Sequence, residues 1–301
     1  MNAIKKILII IDAEEDFSTS PDGLPVEIRK ALHFVRDKAG VELKLFSVGY
    51  EKYLHHSFYS IGYEYTLMRK EYLKRMRECV AGLATRLKDE GYQVSSEVVW
   101  SHPRYETIVK QATEFNADMV VHHVRAHAKI EHFLLTNESW QLVRYCQTPL
   151  LLVKDSPWPE APVFMAAVDP LHSHNKPLQL DKRLIMAADR ASEQTGGSFH
   201  VVHAYNETAR PFAAEGKLEK AHADAFNELL QEFDIPEQHQ HLIDETPLHA
   251  LIEYSEKLHA NVIVMGAISR SRFSEAVIGS TAERTLDYIK TDTLIIKPKP
   301  A

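Results

Sequence analysis

A polar, glycine-containing segment between two apolar runs carries the residues of this chain best suited to hold a ligand. Gly266 ends the apolar run Val262–Met265, and Gly279, Ser280 and Thr281 follow a long polar connection. Glycine lets a backbone approach a bound molecule closely, and a helix N-terminus offers free N–H groups at the positive end of its dipole. The spacing alone fits a phosphate-binding turn and an ordinary strand–loop–helix–strand without a ligand equally well.

The elements around this segment are those of a parallel sheet. The run Val262–Met265 is short, apolar and bounded by a glycine, so it predicts a buried strand. Ser280 followed by Glu283 is a capping-box pattern, which marks the start of a helix. A second apolar run, Leu294–Ile296, predicts the next strand. The candidate ligand residues would thus lie at the end of one strand and at the beginning of the following helix.

Helical patterns recur through the first half of the chain, and two of them are the longest. Apolar residues at helical spacing predict a helix from about Pro25 to Lys38, closed by Gly40. A second and longer pattern, Leu67 to Lys88, ends at Gly91. Buried strands are predicted on either side of both patterns, so the order of elements is that of an α/β domain.

The strand–helix–strand pattern occurs twice. Residues 261–297 align without gaps on residues 118–154, at a constant offset of 143 positions. Matching elements before each copy indicate a duplicated α/β domain. Three prolines within residues 155–162 form a stiff connector, which predicts a first domain of residues 1–155 and a second of residues 156–301.

The two copies differ at the candidate ligand residues. The first copy lacks both glycines, and Glu138 places a carboxylate where phosphates would need N–H groups, so repulsion disfavours polyphosphate there. We therefore expect the first domain to be a degenerate twin with a structural or regulatory role. The pairs, first copy before second, are His123 with Gly266, Ala126 with Ser269, Thr136 with Gly279, Asn137 with Ser280, and Glu138 with Thr281.

This arrangement resembles the tandem universal stress proteins, in particular their E-type, over nearly the whole chain. The resemblance is carried by Ile278–Glu283, by the connector Lys154–Pro159 and by the strand end Val98–Trp100. The nucleotide signature of that family is Gly-x-x-Gly, nine residues, then Gly-Ser/Asn-Thr. Gly266 and Gly279–Thr281 match its beginning and end, Arg270–Ile278 supply the nine residues, and Ser269 stands at the second glycine.

The resemblance implies a fold and a site. The fold would be α/β, with two tandem five-stranded parallel sheets of the Rossmann-like order 3-2-1-4-5. Such sheets bind ligands at the carboxyl ends of strands, where the chain order reverses. By resemblance, Asp169 would border the adenine and ribose, and Gly266, Gly279, Ser280 and Thr281 would hold the phosphates of ATP, ADP or AMP. An alternative interpretation of Asp169 is a strand-end cap on a neighbouring N–H group.

Other residues could do chemistry but complete no recognised site. Arg270 and Arg272 either face phosphates or are solvated loop charges. Imidazoles suit Zn²⁺ or Ni²⁺, but no cysteine or carboxylate completes a ligand spacing, which favours surface or loop histidines and no metal. P-loop, nucleophile-elbow and His-Glu-x-x-His motifs are absent from the sequence. We expect no catalytic residues and at most slow ATP hydrolysis. The histidines considered are His122, His123, His127, His132, His172 and His174.

Composition excludes several classes of protein. The 301 residues are 45% hydrophobic and 26% charged, with a net charge of −7, so they suit a globular protein without a large basic field. Nucleic acid and anionic membrane are therefore not expected as partners. Cys79 and Cys146 form no disulfide framework, which fits a reducing cytoplasm. No apolar stretch approaches the length of a membrane span.

Taken with these observations, the resemblance implies a cytoplasmic stress-response regulator that binds ATP or ADP in its second domain, with unknown protein partners. The alternative is a scaffold without a nucleotide, whose crevices serve protein partners or an apolar ligand. The fifth strands, Leu150–Val153 and Leu294–Ile296, are apolar sheet edges that invite pairing. In single-domain relatives such edges dimerise, so the resemblance implies an intramolecular pseudo-dimer.

Overall fold

The protein divides into two compact units, each built on a parallel sheet. The computed structural model describes residues 3–15, 17, 20, 22–51, 62–124, 135–171, 179–206, 217–267 and 280–298. One unit, called the first unit, comprises Ile4–His123 and Asn137–Val153. The other, called the second unit, is built mainly on Lys154–Ala301.

The sheet of the first unit is buried on both faces. Its strands run parallel in the order β3-β2-β1-β4-β5, and residues such as Ile7, Leu8 and Ile9 have no exposed surface. A parallel strand covered by helices on both faces must be apolar throughout, which explains these continuous runs. The strands are β1 (Lys6–Ile10), β2 (Glu42–Gly49), β3 (Gln93–Trp100), β4 (Met119–His123) and β5 (Leu150–Val153).

Helices cover this sheet through their apolar stripes. Helix α1 packs on β1 and β4, α2 packs on β2 and β3, and α3 packs on β2 and against α4. Leu73, Met76, Val80 and Leu87 of α2 follow the spacing of an amphipathic helix and are buried. The helices are α1 (Val26–Leu32), α2 (Gly62–Asp89), α3 (Arg104–Glu114) and α4 (Asn137–Tyr145).

The second unit repeats this architecture. Its parallel strands have the order β8-β7-β6-β9-β10, which is again 3-2-1-4-5. The strands are β6 (Val163–Val168), β7 (Ser198–Tyr205), β8 (Gln240–Asp244), β9 (Val262–Gly266) and β10 (Asp292–Ile296). The helices are α5 (Leu180–Thr195), α6 (Lys217–Leu230), α7 (Pro247–Lys257) and α8 (Ser280–Tyr288), with a 3-10 turn at Glu237–His239.

The duplication predicted from the sequence is confirmed in the elements. β4 and β9 begin at Met119 and Val262, and α4 and α8 begin at Asn137 and Ser280. Both pairs are separated by the same 143 positions that align the sequences. The predicted fold class, two tandem α/β sheets of order 3-2-1-4-5, is therefore confirmed.

Helix α1 is shorter than predicted. It ends at Leu32 instead of continuing to Lys38. Beyond it, the N–H groups of Phe34 and Val35 bond carbonyls three residues back, as in turns. Both side chains are buried, so the chain bends to place them in the core. Their apolar spacing resembles that of a helix, although the segment is held by tertiary packing.

The connector that opens the second unit is fixed by one carboxylate. Oδ1 of Asp292 accepts the backbone N–H of Lys154 over 2.8 Å, and its Oδ2 accepts the indole N–H of Trp158 over 2.8 Å. The Trp158 ring meets Phe164 edge to face, with 6.0 Å between centroids. Because an ionised acceptor strengthens a hydrogen bond, this proline-rich stretch is anchored as well as stiff.

Glycine is required where α5 turns back into β7. Gly196 has the left-handed φ of 77° that ends α5, and a Cβ on Gly197 would lie 1.8 Å from the carbonyl oxygen of Pro162. The backbone at Pro162 also accepts the N–H of Ser198 over 3.2 Å. A side chain at position 197 therefore collides with backbone that cannot move without loss of a hydrogen bond.

We predict that Gly197→Ala lowers the free energy of unfolding by about 3 kcal/mol, the upper range for overpacking. Urea denaturation followed by circular dichroism measures this loss. Gly82→Ala is the matched control: Gly82 lies within α2, and a Cβ added to it would meet nothing within 4 Å, so alanine there should stabilise the protein by about 0.5–1 kcal/mol. Equal stability of the two variants would contradict the packing described for Gly197.

Candidate functional site

Two of the predicted ligand residues lie at one edge of the second unit. β6 ends at Val168 and β9 ends at Gly266, and these strands pair in parallel. Asp169 directly follows β6, so Asp169 and Gly266 share the carboxyl edge of the sheet. The chain order reverses here, because β7 and β8 lie on one side of β6 while β9 and β10 lie on the other. Open α/β sheets offer their ligand crevice at such a reversal.

Gly266 also has a packing role that the sequence does not reveal. A Cβ on this residue would lie 2.8 Å from Cδ2 of Leu180. Leu180 is fully buried at the first position of α5. The missing side chain lets α5 approach the end of β9.

The remaining predicted ligand residues are described only in part. Ser269, Arg270 and Gly279 lie outside the described residues. Helix α8 begins at Ser280, so Ser280 and Thr281 belong to its first turn. The role of the whole set in binding a nucleotide stays a prediction.

Side chains hold both polar groups of the peptide that precedes Asp169. Its N–H group, on Asp169, donates to Oδ1 of Asp181 over 3.0 Å. Its carbonyl, on Val168, lies 3.1 Å from Nδ1 of His203. Nε2 of His203 lies in turn 2.8 Å from Nδ1 of His222. Residues of α5, β7 and α6 thus converge on this strand end.

Burial keeps His203 neutral. The side chain is 1% exposed, and its desolvation lowers the pKa of His203 to about 4, although the Val168 carbonyl and the carboxylates of Asp169 and Asp181 act in the opposite direction. A neutral imidazole has one donor and one acceptor nitrogen, and a carbonyl only accepts. His203 therefore carries its proton on Nδ1 and accepts the Nδ1–H of His222 on Nε2.

Neither Asp181 nor His203 was predicted from the sequence as a site residue. Both sit within patterns that otherwise predict an apolar helix face and a buried strand, and both are 1% exposed. A polar residue in such a pattern is a usable signal, because buried polar groups need partners. The partners themselves come from other elements, which no local pattern identifies.

The corresponding edge of the first unit holds an ion pair. Nε of Arg104, at the first position of α3, lies 3.1 Å from Oε2 of Glu138 in the first turn of α4. The guanidinium N–H is not aligned for a hydrogen bond, so the contact is electrostatic. Burial raises the pKa of Glu138, the charge of Asp12 acts in the same direction, and Arg104 opposes both. A carboxylate is favourable at a helix N-terminus, so this end of α4 already has its anion.

Aromatic rings form a wall along the same edge of the first unit. Tyr50, which follows β2, stacks on His102 with 4.0 Å between centroids. Trp100, which ends β3, meets the edge of Tyr72 at 5.7 Å and lies under the guanidinium of Arg69 at 4.9 Å. Because these groups contact one another, they form packed structure instead of an open apolar patch.

A second group of histidines lies at the outer strands of the second unit. Nδ1 of His200 is 3.0 Å from Nε2 of His241, and the rings of His200 and His239 are 4.3 Å apart. Burial and the two neighbouring histidines lower the pKa of His200 to about 4, while burial and Lys257 lower the pKa of His241. Within the part of the chain that the structure describes, no three or more His, Cys, Asp or Glu residues are placed to hold a metal ion.

The structure describes two of the histidines that the sequence analysis considered as metal ligands. Nε2 of His122 lies 3.0 Å from Oγ of Ser139, and the contact is buried. His123 is the last residue of β4. The others, His127, His132, His172 and His174, lie outside the described residues.

A cavity of about 350 Å³ lies away from the candidate edge. It is lined by Trp158, His259 and Lys290 among others, where β9 and β10 begin. Parallel strands begin at one edge and end at the other, so this cavity does not coincide with Asp169 and Gly266.

Among the helices in the described ranges, none is long and apolar enough to cross a membrane.

Histidines that are buried or partly buried predict that stability falls on acidification. The folded-state pKa is lowered for His33, His200, His203 and His241, whereas an unfolded histidine titrates near 6.5. Below about pH 6.5 the unfolded chain binds more protons, so the free energy of unfolding decreases from there to about pH 4. The raised pKa values of Glu138 and Asp189 instead favour the folded state on acidification.

Urea titrations at about pH 7.5, 6.5, 5.5 and 4.5 span this range and measure the dependence. His200→Gln removes one of the titrating groups and should make the decrease shallower. His249→Gln is the matched control, because the side chain of His249 is 70% exposed. Constant or rising stability of the wild-type protein over this range would contradict the prediction.

Comparison with known proteins places this geometry in a family. The sequence model of the Universal stress protein family matches residues 3–154 and 178–297. Universal stress protein E of Escherichia coli K12 is 26% identical over 314 residues, which cover 99% of this chain and 95% of that protein. Universal stress protein E of Photorhabdus laumondii is 27% identical over 315 residues, covering 98% and 95%.

A solved structure shows the same fold. A crystal structure assigned to a universal stress protein of Pseudomonas aeruginosa UCBPP-PA14 superposes with a TM-score of 0.74 at 21% identity, covering 98% of this chain and 94% of that chain. The sequence match extends over both units, each unit has the sheet order 3-2-1-4-5, and the relatives of E-type align over nearly the whole length. The chain therefore belongs to the universal stress protein family, in the tandem arrangement of its E-type members.

Proposed function

We propose that this protein is a cytoplasmic stress-response regulator that binds ATP or ADP at one site, in the second of two domains divided between residues 155 and 156. One observation carries the proposal: Asp169 follows β6 and Gly266 ends the neighbouring parallel strand β9, where the chain order reverses. Helix α8 begins at Ser280, fourteen positions after Gly266 in the sequence. The strand end and the helix start thus follow the order that a phosphate-binding turn requires.

Each candidate residue has a chemical role in this proposal. The Asp169 carboxylate accepts hydrogen bonds from the ribose hydroxyls or the adenine amino group. Gly266 and Gly279 let the backbone approach the phosphates, and Ser280 and Thr281 offer N–H groups and hydroxyls at the start of α8. Ser269 and Arg270 lie on the connection between them and supply a further donor and a positive charge.

In this proposal the first domain binds no nucleotide and acts as a partner of the second domain. The α4 N-terminus is already next to the Glu138 carboxylate, and that carboxylate is paired with Arg104. A polyphosphate would have to displace or lie beside a charge of its own sign. The predicted pseudo-dimer, the unknown protein partners and the exclusion of nucleic acid and membrane stay predictions.

We predict that the full chain binds ADP or ATP with a stoichiometry of about one, since only the second copy has the glycines of the phosphate turn. Isothermal titration calorimetry of the purified protein at neutral pH, with nucleotide up to millimolar concentration, measures the site number and the affinity. A parallel titration with inorganic phosphate separates nucleotide binding from binding of any phosphate anion. If no heat develops with ATP, ADP or AMP, the scaffold alternative replaces this proposal.

A charge exchange tests where the phosphates lie. Gly279→Glu places a carboxylate at the proposed phosphate turn and should weaken nucleotide binding at least about a hundredfold, since it opposes several like charges at short range. Thr136→Glu makes the same change at the equivalent position of the first copy and should leave the affinity unchanged. An effect of Thr136→Glu as large as that of Gly279→Glu would contradict the assignment to the second domain.

A further inference from the structure

We propose that His203 is a positioning residue for the candidate nucleotide site: with Asp181 it clamps the Val168–Asp169 peptide, and through His222 it ties that peptide to helix α6. This inference rests on the proposed function, because Asp169 is the residue that the clamp orients. It assigns roles to His203, Asp181 and His222, which belong to none of the ligand motifs in the sequence.

The clamp holds one peptide unit from two directions. The carbonyl of Val168 faces Nδ1 of His203 at 3.1 Å, and the N–H of Asp169 donates to Oδ1 of Asp181 over 3.0 Å. A peptide unit is planar, so fixing its two polar groups fixes the plane from which the Asp169 side chain departs. His203 and Asp181 are each 1% exposed, and water therefore does not compete for these bonds.

The second hydrogen bond of His203 extends the clamp to α6. With the proton on Nδ1, the only remaining polar atom of the His203 ring is Nε2, whose lone pair accepts the Nδ1–H of His222 over 2.8 Å. His222 stacks on Tyr205 with 5.2 Å between ring centroids. Both nitrogens of His203 are thus used, one on each side of its ring, and both bonds have a defined direction.

The first unit provides an internal comparison. Val168 pairs with His203 and is followed by Asp169. In the first unit Ile10 pairs with Phe46, so the next residues in register are Ile11 and Ser47, and Ile11 is followed by Asp12. Ser47 is fully buried, and its hydroxyl makes no hydrogen bond to the parts of the chain that the structure describes. The bridge from strand end to helix therefore belongs to the unit that carries the candidate ligand glycines.

The two bonds of His203 can be removed separately. His203→Asn places an amide N–H near the position of Nδ1 and keeps the bond to Val168, but the shorter side chain does not reach His222. His203→Leu fills the space without either bond. His222→Phe keeps an aromatic ring on Tyr205 and removes the donor to Nε2. Ser47→Ala in the first unit is the matched control at the equivalent buried position.

The experiment measures ADP affinity by calorimetry and thermal stability by circular dichroism on the full chain. His203→Leu is expected to weaken ADP binding about tenfold or more, the effect of one or two lost hydrogen bonds. His203→Asn should restore affinity to within about threefold of wild type, because it keeps the bond to the peptide. His222→Phe should give an intermediate loss, and Ser47→Ala should leave the affinity unchanged.

The outcomes separate positioning from simple core packing. A packing role would lower the melting temperature of His203→Leu without changing ADP affinity, and that result overturns the inference. Rescue of affinity by asparagine, which fills the pocket less well than leucine, supports the clamp. If His203→Leu does not fold, His222→Phe carries the test, and wild-type ADP affinity in that variant overturns the inference. Absence of ADP binding by the wild-type chain overturns the proposed function and this inference together.

Discussion

Burial of the parallel strands on both faces is the constraint on which the rest of this structure depends. Helices cover each sheet from two sides, so the middles of the strands must be apolar, as Ile7–Ile9 and Phe164–Ala166 are. Polar chemistry is then confined to places where strands end and helices begin. Asp12, Asp169, Gly266 and the first turns of the helices all follow from this one requirement.

The two units differ in the polar contacts at the ends of their helices and strands. In the first unit, the start of α4 is next to the carboxylate of Glu138, which Arg104 neutralises. In the second unit, the end of β6 is held by Asp181 and by His203, whose neutral ring relays a hydrogen bond to His222. The two units retain the same strand order, whereas these polar contacts differ between them.

The fold and the ends of its elements could be predicted from local sequence, because burial, helix starts and glycine turns leave short-range patterns. Helix α2, for example, begins only a few residues earlier than predicted. Contacts that join distant parts of the chain left no such pattern. The approach of Leu180 to Gly266, the Arg104–Glu138 pair and the bond between His203 and His222 each depend on how elements pack. The shortened α1 has the same cause, since Phe34 and Val35 are apolar at helical spacing but are held by the core.

The Arg104–Glu138 pair has a consequence for how the two halves respond to metabolism. A ligand stabilises a folded state in proportion to the logarithm of its concentration over its dissociation constant. If the first unit binds no nucleotide, as proposed, its folding is insensitive to the adenylate level of the cell. If the second unit binds nucleotide as proposed, its resistance to unfolding rises and falls with that level. One chain would then combine a half of constant stability with a half whose stability follows the adenylate level.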